Sequence, residues 1–367
     1  MICFSDEWLA QKKKNQNGLT RMDDHGKKMR WFLLLPLCLF VSAYRPIVIL
    51  PGFGGSVLLG ADGSRVWPPS PPSFLGTDWQ DRLVIGRPVH VYPPGDARGT
   101  ALTTPLTRKI LGTGFYEDLM DALAERREVR PVSYDFRLIG EAGYTARFFS
   151  GLEAYLESLG RSDVFCHSLG GLVFHHFMVS RVSEEWKRRH IDRVVFLNVP
   201  FGGSVSILGH VLNGFAMEIP TLRLRIPIHG LHTFPGFQWC LPNRYGSGDV
   251  LLVSEKESYS VYNMSMLFRE EDRRVYERDI VPRLWTIEES PGVNTFHLVC
   301  SGTETVRRLD PIGGNVYGDG DGLVPSESLM IPNRWRDDNS HVFVRLDGKH
   351  SEILSDPILI RMLLEMS

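Results

Sequence analysis

The sequence predicts an α/β fold built on a mostly parallel central sheet with helices on both faces. Three observations carry this reading. Short β-rich runs alternate with helical patterns, the order that parallel strands joined by crossover helices require. The β runs are apolar nearly throughout, as in strands covered on both faces. One strand-to-helix junction sets a serine between small residues.

Strands are expected at Pro46–Leu50, Arg130–Tyr134, Asp163–His167, Arg193–Asn198, Phe296–Cys300 and His341–Leu346. Helices are expected at Tyr116–Arg127, Tyr144–Leu159 and Leu169–Val182, with a polar helix over Glu270–Val281. In the second of these, Phe148, Leu152 and Tyr155 recur at helical spacing and form one apolar stripe. Two stretches fit the scheme poorly. Residues 60–110 are rich in proline (Pro68, Pro69, Pro71, Pro72, Pro93, Pro94) and include Trp67, Phe74 and Trp79. Residues 205–250 are apolar and punctuated by Gly and Pro without a clean period. Long loops inside a compact domain are functional or disordered, and this aromatic content argues against disorder. Both are read as excursions from the core, the first a membrane-facing insertion and the second a lid.

The N-terminus reads as an address. Arg30 precedes an apolar run from Trp31 to Val41, and Val41 and Ala43 stand at the small-residue positions of a cleavage site. The run is shorter than the roughly 20 residues that span a bilayer, and Pro36 interrupts it. Residues 1–43 are therefore expected to be an N-terminal extension and signal peptide, and residues 44–367 the folded domain. This places the mature protein in the secretory pathway, secreted or in a lysosomal or endomembrane lumen. Cleavage would leave Cys166, Cys240 and Cys300, enough for at most one disulfide. Asn263-Met264-Ser265 is a glycosylation sequon, weak evidence by itself. A net charge of −2 lacks the basic footprint that nucleic acid demands.

The chemistry concentrates at Val164-Phe165-Cys166-His167-Ser168-Leu169-Gly170-Gly171. A β run ends at Ser168 and a helical pattern starts at Leu169, with Cys166 and Gly170 flanking at minus two and plus two. This is the nucleophile elbow of the α/β-hydrolase fold, although Gly is usual where Cys166 stands. A serine hydroxyl needs a base, and the base needs an orienting carboxylate. In this fold they follow in the order Ser, acid, His. Gly318-Asp319-Gly320-Asp321-Gly322 offers two aspartates on a glycine-rich loop, and His350 stands just past the last strand. His297 and His341 are rival bases but fit better as half-buried strand residues. His175 and His176 lack metal-ligand spacing, a calcium loop would want an oxygen ligand at Leu323, and neither metal nor cofactor is expected. Oxyanion donors are expected from the backbone N–H of Leu169 and, in the glycine-rich loop after the first strand, of Phe53.

Ile47–Leu59, Tyr134-Asp135-Phe136-Arg137, the serine turn, Val199-Pro200-Phe201-Gly202-Gly203-Ser204, the Gly-Asp-Gly-Asp-Gly loop and His350 occur in that order. Together they resemble the lecithin:cholesterol acyltransferase family, which includes a lysosomal phospholipase and phospholipid:diacylglycerol acyltransferase. The resemblance runs from about Arg45 to the C-terminus. It implies acyl transfer from a phospholipid through an acyl-serine to water, a sterol or another lipid alcohol, at a membrane or lipoprotein surface. It also implies that Asp321, rather than Asp319, is the acid of a Ser168–Asp321–His350 triad. Residues 60–110 would then hold the membrane-binding insertion and 205–250 the lid. Two departures stand out: no cysteine pair lies in 60–110, and Leu323 replaces the usual threonine. A serine esterase or thioesterase acting on soluble esters, and a silent binding protein on the same fold, are the alternatives.

Overall fold

Six strands form one all-parallel sheet: β1 (Ile47–Leu50), β2 (Val129–Pro131), β3 (Ser162–His167), β4 (Ile191–Leu197), β5 (Asn294–Ser301) and, after a hairpin of β6 (Thr303–Arg308) and β7 (Val316–Gly320), β8 (His341–Asp347). Their spatial order is β8-β5-β4-β3-β1-β2. This is the α/β-hydrolase arrangement. The computed structural model describes residues 45–74, 76, 78–86, 89–91, 106–111, 113–219, 224–246, 249–337 and 339–366. The expected signal peptide and N-terminal extension lie outside the described residues, as do 75, 77, 87–88 and 92–105 of the first expected insertion and 220–223 and 247–248 of the second.

The sheet order decides where a site can form. From β1 the chain runs outward to the edge strand β2, then crosses back to the other side of β1 as β3. The connections leave β1 and β3 in opposite directions, which opens a crevice beyond their carboxyl ends. The glycine-rich loop follows β1 and the serine follows β3, so both are delivered to that crevice.

Strand alternation splits the apolar residues between two cores. Ile47, Ile49 and Phe165 face the layer of α1 (Glu117–Ala124) and α6 (Pro357–Glu365), with Leu119, Leu123, Leu359 and Leu363. Val48, Leu50, Val164 and Cys166 face α2 (Ala142–Leu159) and α3 (Leu169–Ser180), with Phe148, Leu152, Leu172 and Phe177. A Cβ at Gly171 would stand 2.1 Å from Val199 Cγ2, so α3 lies too close to the turn after β4 for any side chain there.

All six expected strands are present, with ends displaced by at most three residues. The largest displacement is at β2: the N–H of Val132 still bonds Ile49, but Tyr134 turns away to donate its N–H to Ser56 Oγ. The expected helix Glu270–Val281 is longer and less regular: an α turn (Glu270–Val275), a π turn (Tyr276–Ile280) and a 3-10 helix (Val281–Glu288). Pro282, without an N–H, stands where the π turn gives way. This element is not wholly polar, since Tyr276, Ile280 and Ile287 are buried.

Two expectations need correction. The Gly-Asp-Gly-Asp-Gly segment is not all loop; Gly318, Asp319 and Gly320 belong to β7, paired antiparallel to β6. Nor is 205–250 wholly an excursion. It opens with the helix α4 (Val205–Asn213; α5 is the Glu270–Val275 turn), and Leu231, Phe234, Phe237, Trp239, Cys240 and Leu241 are all core. The pattern has no period because tight irregular turns bury side chains in every direction; a Cβ at Gly236 would stand 2.1 Å from the carbonyl oxygen of Phe136. Trp67, Phe74 and Trp79 of the 60–110 stretch turn inward, onto the domain and one another, rather than outward to a membrane. Trp67 and Trp79 are buried and Phe74 stacks on Trp79, ring centroids 5.2 Å apart. Among the described residues no helix is long and apolar enough to cross a membrane, and Cys166, Cys240 and Cys300 are buried free thiols.

The Tyr134–Arg137 motif fastens the 60–90 segment to the domain. Arg137 makes a two-pronged pair with Asp135 (2.9 and 2.7 Å) and donates to the carbonyl of Leu83 at 2.9 Å, with both charged side chains almost wholly buried. Arg137→Leu would leave a buried carboxylate without its partner, which costs about 3–5 kcal/mol. Urea unfolding monitored by circular dichroism should show that loss in Arg137→Leu. Acid stability follows from histidines. Burial pushes His175 down to about 4 and His176 and His297 down to about 3. The unfolded chain takes up protons at these sites below about 6.5, while the folded chain does not until pH 3–4. Their contribution to stability is therefore complete above about 6.5 and is lost as pH falls toward 4. Calorimetry should show Tm dropping over that window, and dropping less in His297→Phe, which can stack on Phe196 as His297 does (5.6 Å).

Candidate active site

The crevice is built around one strained residue. Ser168 directly follows β3 with φ 53° and ψ −126°, a conformation L residues rarely adopt. It holds because both sides are tied down: the Ser168 N–H bonds the carbonyl of Leu197 on β4, and its carbonyl takes the N–H of Gly171 in α3. The close approach of β1 keeps Gly170 small. A Cβ there would stand 2.4 Å from the carbonyl oxygen of Pro51 and 2.6 Å from that of Leu50, so the start of α3 rests directly on the end of β1.

The structure brings Ser168, His350 and Asp321 together. His350 Nε2 lies 2.8 Å from Ser168 Oγ, and His350 Nδ1 lies 2.7 Å from Asp321 Oδ2. The other oxygen of Asp321 accepts the N–H groups of Leu323 at 2.9 Å and Val324 at 2.7 Å. A carboxylate only accepts, so the proton sits on Nδ1 and leaves Nε2 free to accept from the serine hydroxyl. Asp321 is fully buried. Leu323 serves here through its main chain, so the departure from threonine leaves these bonds in place. Its carbonyl accepts from Ser204 Oγ at 2.5 Å, which gives the Val199–Ser204 motif a role in holding the Asp321–Leu323 turn.

Asp319 lies elsewhere. It accepts from Gly302 N–H, Ser326 Oγ and Arg345, and the Ser326 hydroxyl above all lowers its pKa. His297, buried in β5, and His341, paired with Asp337 at 2.7 Å, do not hydrogen-bond Ser168. His175 and His176 point at Glu289 and Thr286. Among the described residues no group of three or more His, Cys, Asp or Glu is placed to hold a metal ion.

The loop after β1 is pinned at nearly every peptide. Tyr134 donates its hydroxyl to the Pro51 carbonyl (2.5 Å), Gly52 N–H donates to Tyr116 Oη (2.8 Å), and Trp67 Nε1 and Thr107 Oγ1 donate to the Gly54 carbonyl (2.7 and 2.9 Å). Among the described residues no acceptor engages the N–H of Phe53 or of Leu169, the first residue of α3. Two unengaged donors beside a serine suit an oxyanion. The cavity over Ser168 is about 70 Å³ and is lined by Phe53, Ile207, Phe237, Cys240 and Leu323.

Three residues that reading the sequence for function passed over converge here: Tyr116, His167 and Asn198. Tyr116 Oη lies 2.7 Å from His167 Nδ1, His167 Nε2 lies 3.0 Å from the His350 carbonyl oxygen, and Asn198 Nδ2 donates to that same oxygen at 3.1 Å. No local pattern marks them, because each of these partners is at least 51 residues away. Asn198 carries one faint sign, a residue suited to positive φ just past a strand, and its φ is 49°.

Comparison with known proteins converges on one family. The sequence profile of the family described as Lecithin:cholesterol acyltransferase matches residues 107–289. Lecithin-cholesterol acyltransferase-like 1 of Arabidopsis thaliana is 26% identical over 287 residues, covering 69% of this chain and 65% of that protein. Phosphatidylcholine-sterol acyltransferase of Gallus gallus is 25% identical over 253 residues, 63% of this chain and 57% of its own length. Lecithin-cholesterol acyltransferase-like 1 of Oryza sativa subsp. japonica is 22% identical over 378 residues, covering 89% of this chain and 87% of that protein. The chain thus spans less than two thirds of the length of the first two of these relatives.

The two aspartates separate cleanly in a labelling experiment. Asp321→Asn removes the fixed acceptor of His350 Nδ1–H and should slow fluorophosphonate labelling of Ser168 by about 10³–10⁴-fold. Asp319→Asn should leave the labelling rate within about 2-fold, since its partners all lie on the hairpin side. Mass spectrometry of the Ser168 peptide reads both, and the reverse ranking would show that the acid is Asp319.

Proposed function

The chain belongs to the lecithin:cholesterol acyltransferase family, and from that premise we propose that it transfers an acyl group from a phospholipid, through an acyl-serine on Ser168, to water or to a sterol or other lipid alcohol. The observation that carries the proposal is the continuous line from Ser168 Oγ through His350 to Asp321, 2.8 and 2.7 Å, at the switch point of the sheet.

In this mechanism His350 Nε2 takes the serine proton as Oγ attacks the ester carbonyl, and Asp321 stabilises the imidazolium that forms. The negative oxygen is received by the N–H groups of Phe53 and Leu169, each worth on the order of 3 kcal/mol. The positive end of α3 adds to them. His350 then protonates the departing lysolipid oxygen. The acceptor repeats the attack with His350 as base, and the serine is regenerated.

A cavity of about 70 Å³ is far below the roughly 300–1,000 Å³ of small-molecule pockets. Ile207 and His210 of the Val205–Asn213 helix, with Phe237 and Cys240, form part of its wall. This supports reading the 205–250 stretch as the cover that yields when a lipid enters. It would move at that helix and at the strand pair Phe215–Ile219 and Leu224–Pro227 rather than at its buried 231–241 segment. Membrane contact by the 60–110 insertion then falls to residues other than Trp67 and Trp79. The Arg30–Ala43 segment supports a secretory or lumenal location.

The deciding measurement uses vesicles of labelled phosphatidylcholine, with and without sterol and a long-chain alcohol. The protein should release lysolipid together with free fatty acid or new ester, at a rate that rises with lipid surface. Ser168→Ala and His350→Ala should abolish turnover by several orders of magnitude without changing Tm by more than a few degrees. Turnover of soluble esters with no response to vesicles would instead favour a soluble-ester esterase.

A further inference from the structure

We propose that Tyr116 and His167 are positioning residues that lock the oxyanion loop and the general base into one register. They do so through a one-way chain of three hydrogen bonds running from Gly52 N–H to Tyr116, to His167, and to the main-chain carbonyl of His350. The inference rests on the reading of Ser168 and His350 given above and concerns how their geometry is kept.

The direction of the chain follows from its ends. Gly52 N–H can only donate, so Tyr116 Oη accepts from it at 2.8 Å. The His350 carbonyl can only accept, so His167 carries its proton on Nε2 and donates it across 3.0 Å. His167 Nδ1 is then bare and must accept, and the Tyr116 hydroxyl supplies the proton at 2.7 Å. No second arrangement of these protons satisfies all four groups. Tyr116 and His167 are both buried, so a missing link could not be replaced readily by bulk water.

The chain grips what most needs fixing. Phe53 N–H, the donor for the oxyanion, directly follows Gly52, and His350 comes from the far end of the sequence. Nothing local relates the two, yet both must meet the same reacting carbonyl within a fraction of an ångström. The loop has no slack on this side: a Cβ at Gly52 would stand 2.9 Å from Ser168 Cβ and 3.1 Å from His167 Nδ1. At the other end the His350 main chain is held twice more. Asn198 donates to its carbonyl while taking the Cys300 N–H at 2.7 Å, and His350 N–H bonds the Asp321 carbonyl at 2.9 Å.

His167 must stay neutral for this to work. Its ring centroid lies 5.2 Å from that of His350, which becomes cationic during each acyl transfer. Burial, with the neighbouring His350, pushes His167 down to about 3, so it does not compete for the serine proton.

The test compares Tyr116→Phe, His167→Leu, His167→Gln and the Tyr116→Phe/His167→Leu double variant, each against wild type. Turnover of a short-chain p-nitrophenyl ester, fluorophosphonate labelling of Ser168 and Tm are measured on each. Tyr116→Phe and His167→Leu should each lower kcat by about 10- to 100-fold with KM within about 2-fold, and slow labelling to match. The double variant should be no slower than the worse single one, because both break one chain. His167→Gln, whose amide can accept from Tyr116 and donate to His350, should recover most of the loss. Full kcat in Tyr116→Phe, multiplying effects in the double variant, or equal losses in His167→Gln and His167→Leu would each overturn the proposal. If Tyr116→Phe does not fold, the Gln-against-Leu comparison at His167 decides. Wild-type protein that neither labels at Ser168 nor turns over ester would instead sink the acyl-serine reading itself.

Discussion

At Ser168 the backbone turns through a positive φ that costs on the order of 1–3 kcal/mol, and the surrounding structure is arranged so that no other conformation fits. The serine N–H is claimed by β4, its carbonyl by α3, and the first turn of α3 rests on the carbonyls that end β1. Release any of these and Oγ swings out of line with His350. The glycines at 52, 170 and 171 are best understood as the spacing this turn imposes: each faces backbone or side-chain atoms within about 3 Å of where a Cβ would stand.

The site is assembled from four distant parts of the chain, and each arrives through the sheet. β1 brings the glycine-rich loop, β3 Ser168, β5 and its hairpin Asp321, and β8 His350. An all-parallel sheet suits this task because every strand ends at the same rim. The hairpin between β5 and β8 uses Asp319 to brace itself and leaves Asp321, two residues on, free to face inward. β7 ends between the two, so the chain can turn after Gly320. Aspartates separated by one glycine thereby end in opposite circumstances: one half exposed among surface donors, the other fully buried against an imidazole.

Charge among the described buried residues is neutralised in two ways. Buried ions are paired, as at Arg137–Asp135 and Arg127–Asp163, and burial holds His167, His175 and His297 toward the neutral form. The aromatic residues of the 60–90 segment are placed with similar strictness. Trp67 turns inward and fixes the Gly54 carbonyl, so a segment that looked from its composition like surface material also shapes the glycine-rich loop after β1.

The sequence by itself determined the six strands, their parallel character and the serine turn, because each is written in short-range pattern: apolar runs of strand length, a change of period, and small residues where chain crosses chain. It also pointed to Asp321 and His350 through their order after the serine. Only the tertiary structure decided which residues bind them together. Tyr116, His167 and Asn198 act through partners far away in sequence, and a tyrosine before a helix or a histidine at a strand end looks the same whether it is satisfied by water or by a carbonyl 183 residues distant. The inward fate of Trp67 and Trp79 and the irregular burial of 231–241 belong to the same class. Periodicity reports which face of a regular element is covered; where turns are irregular, burial is set by neighbours that no local window contains.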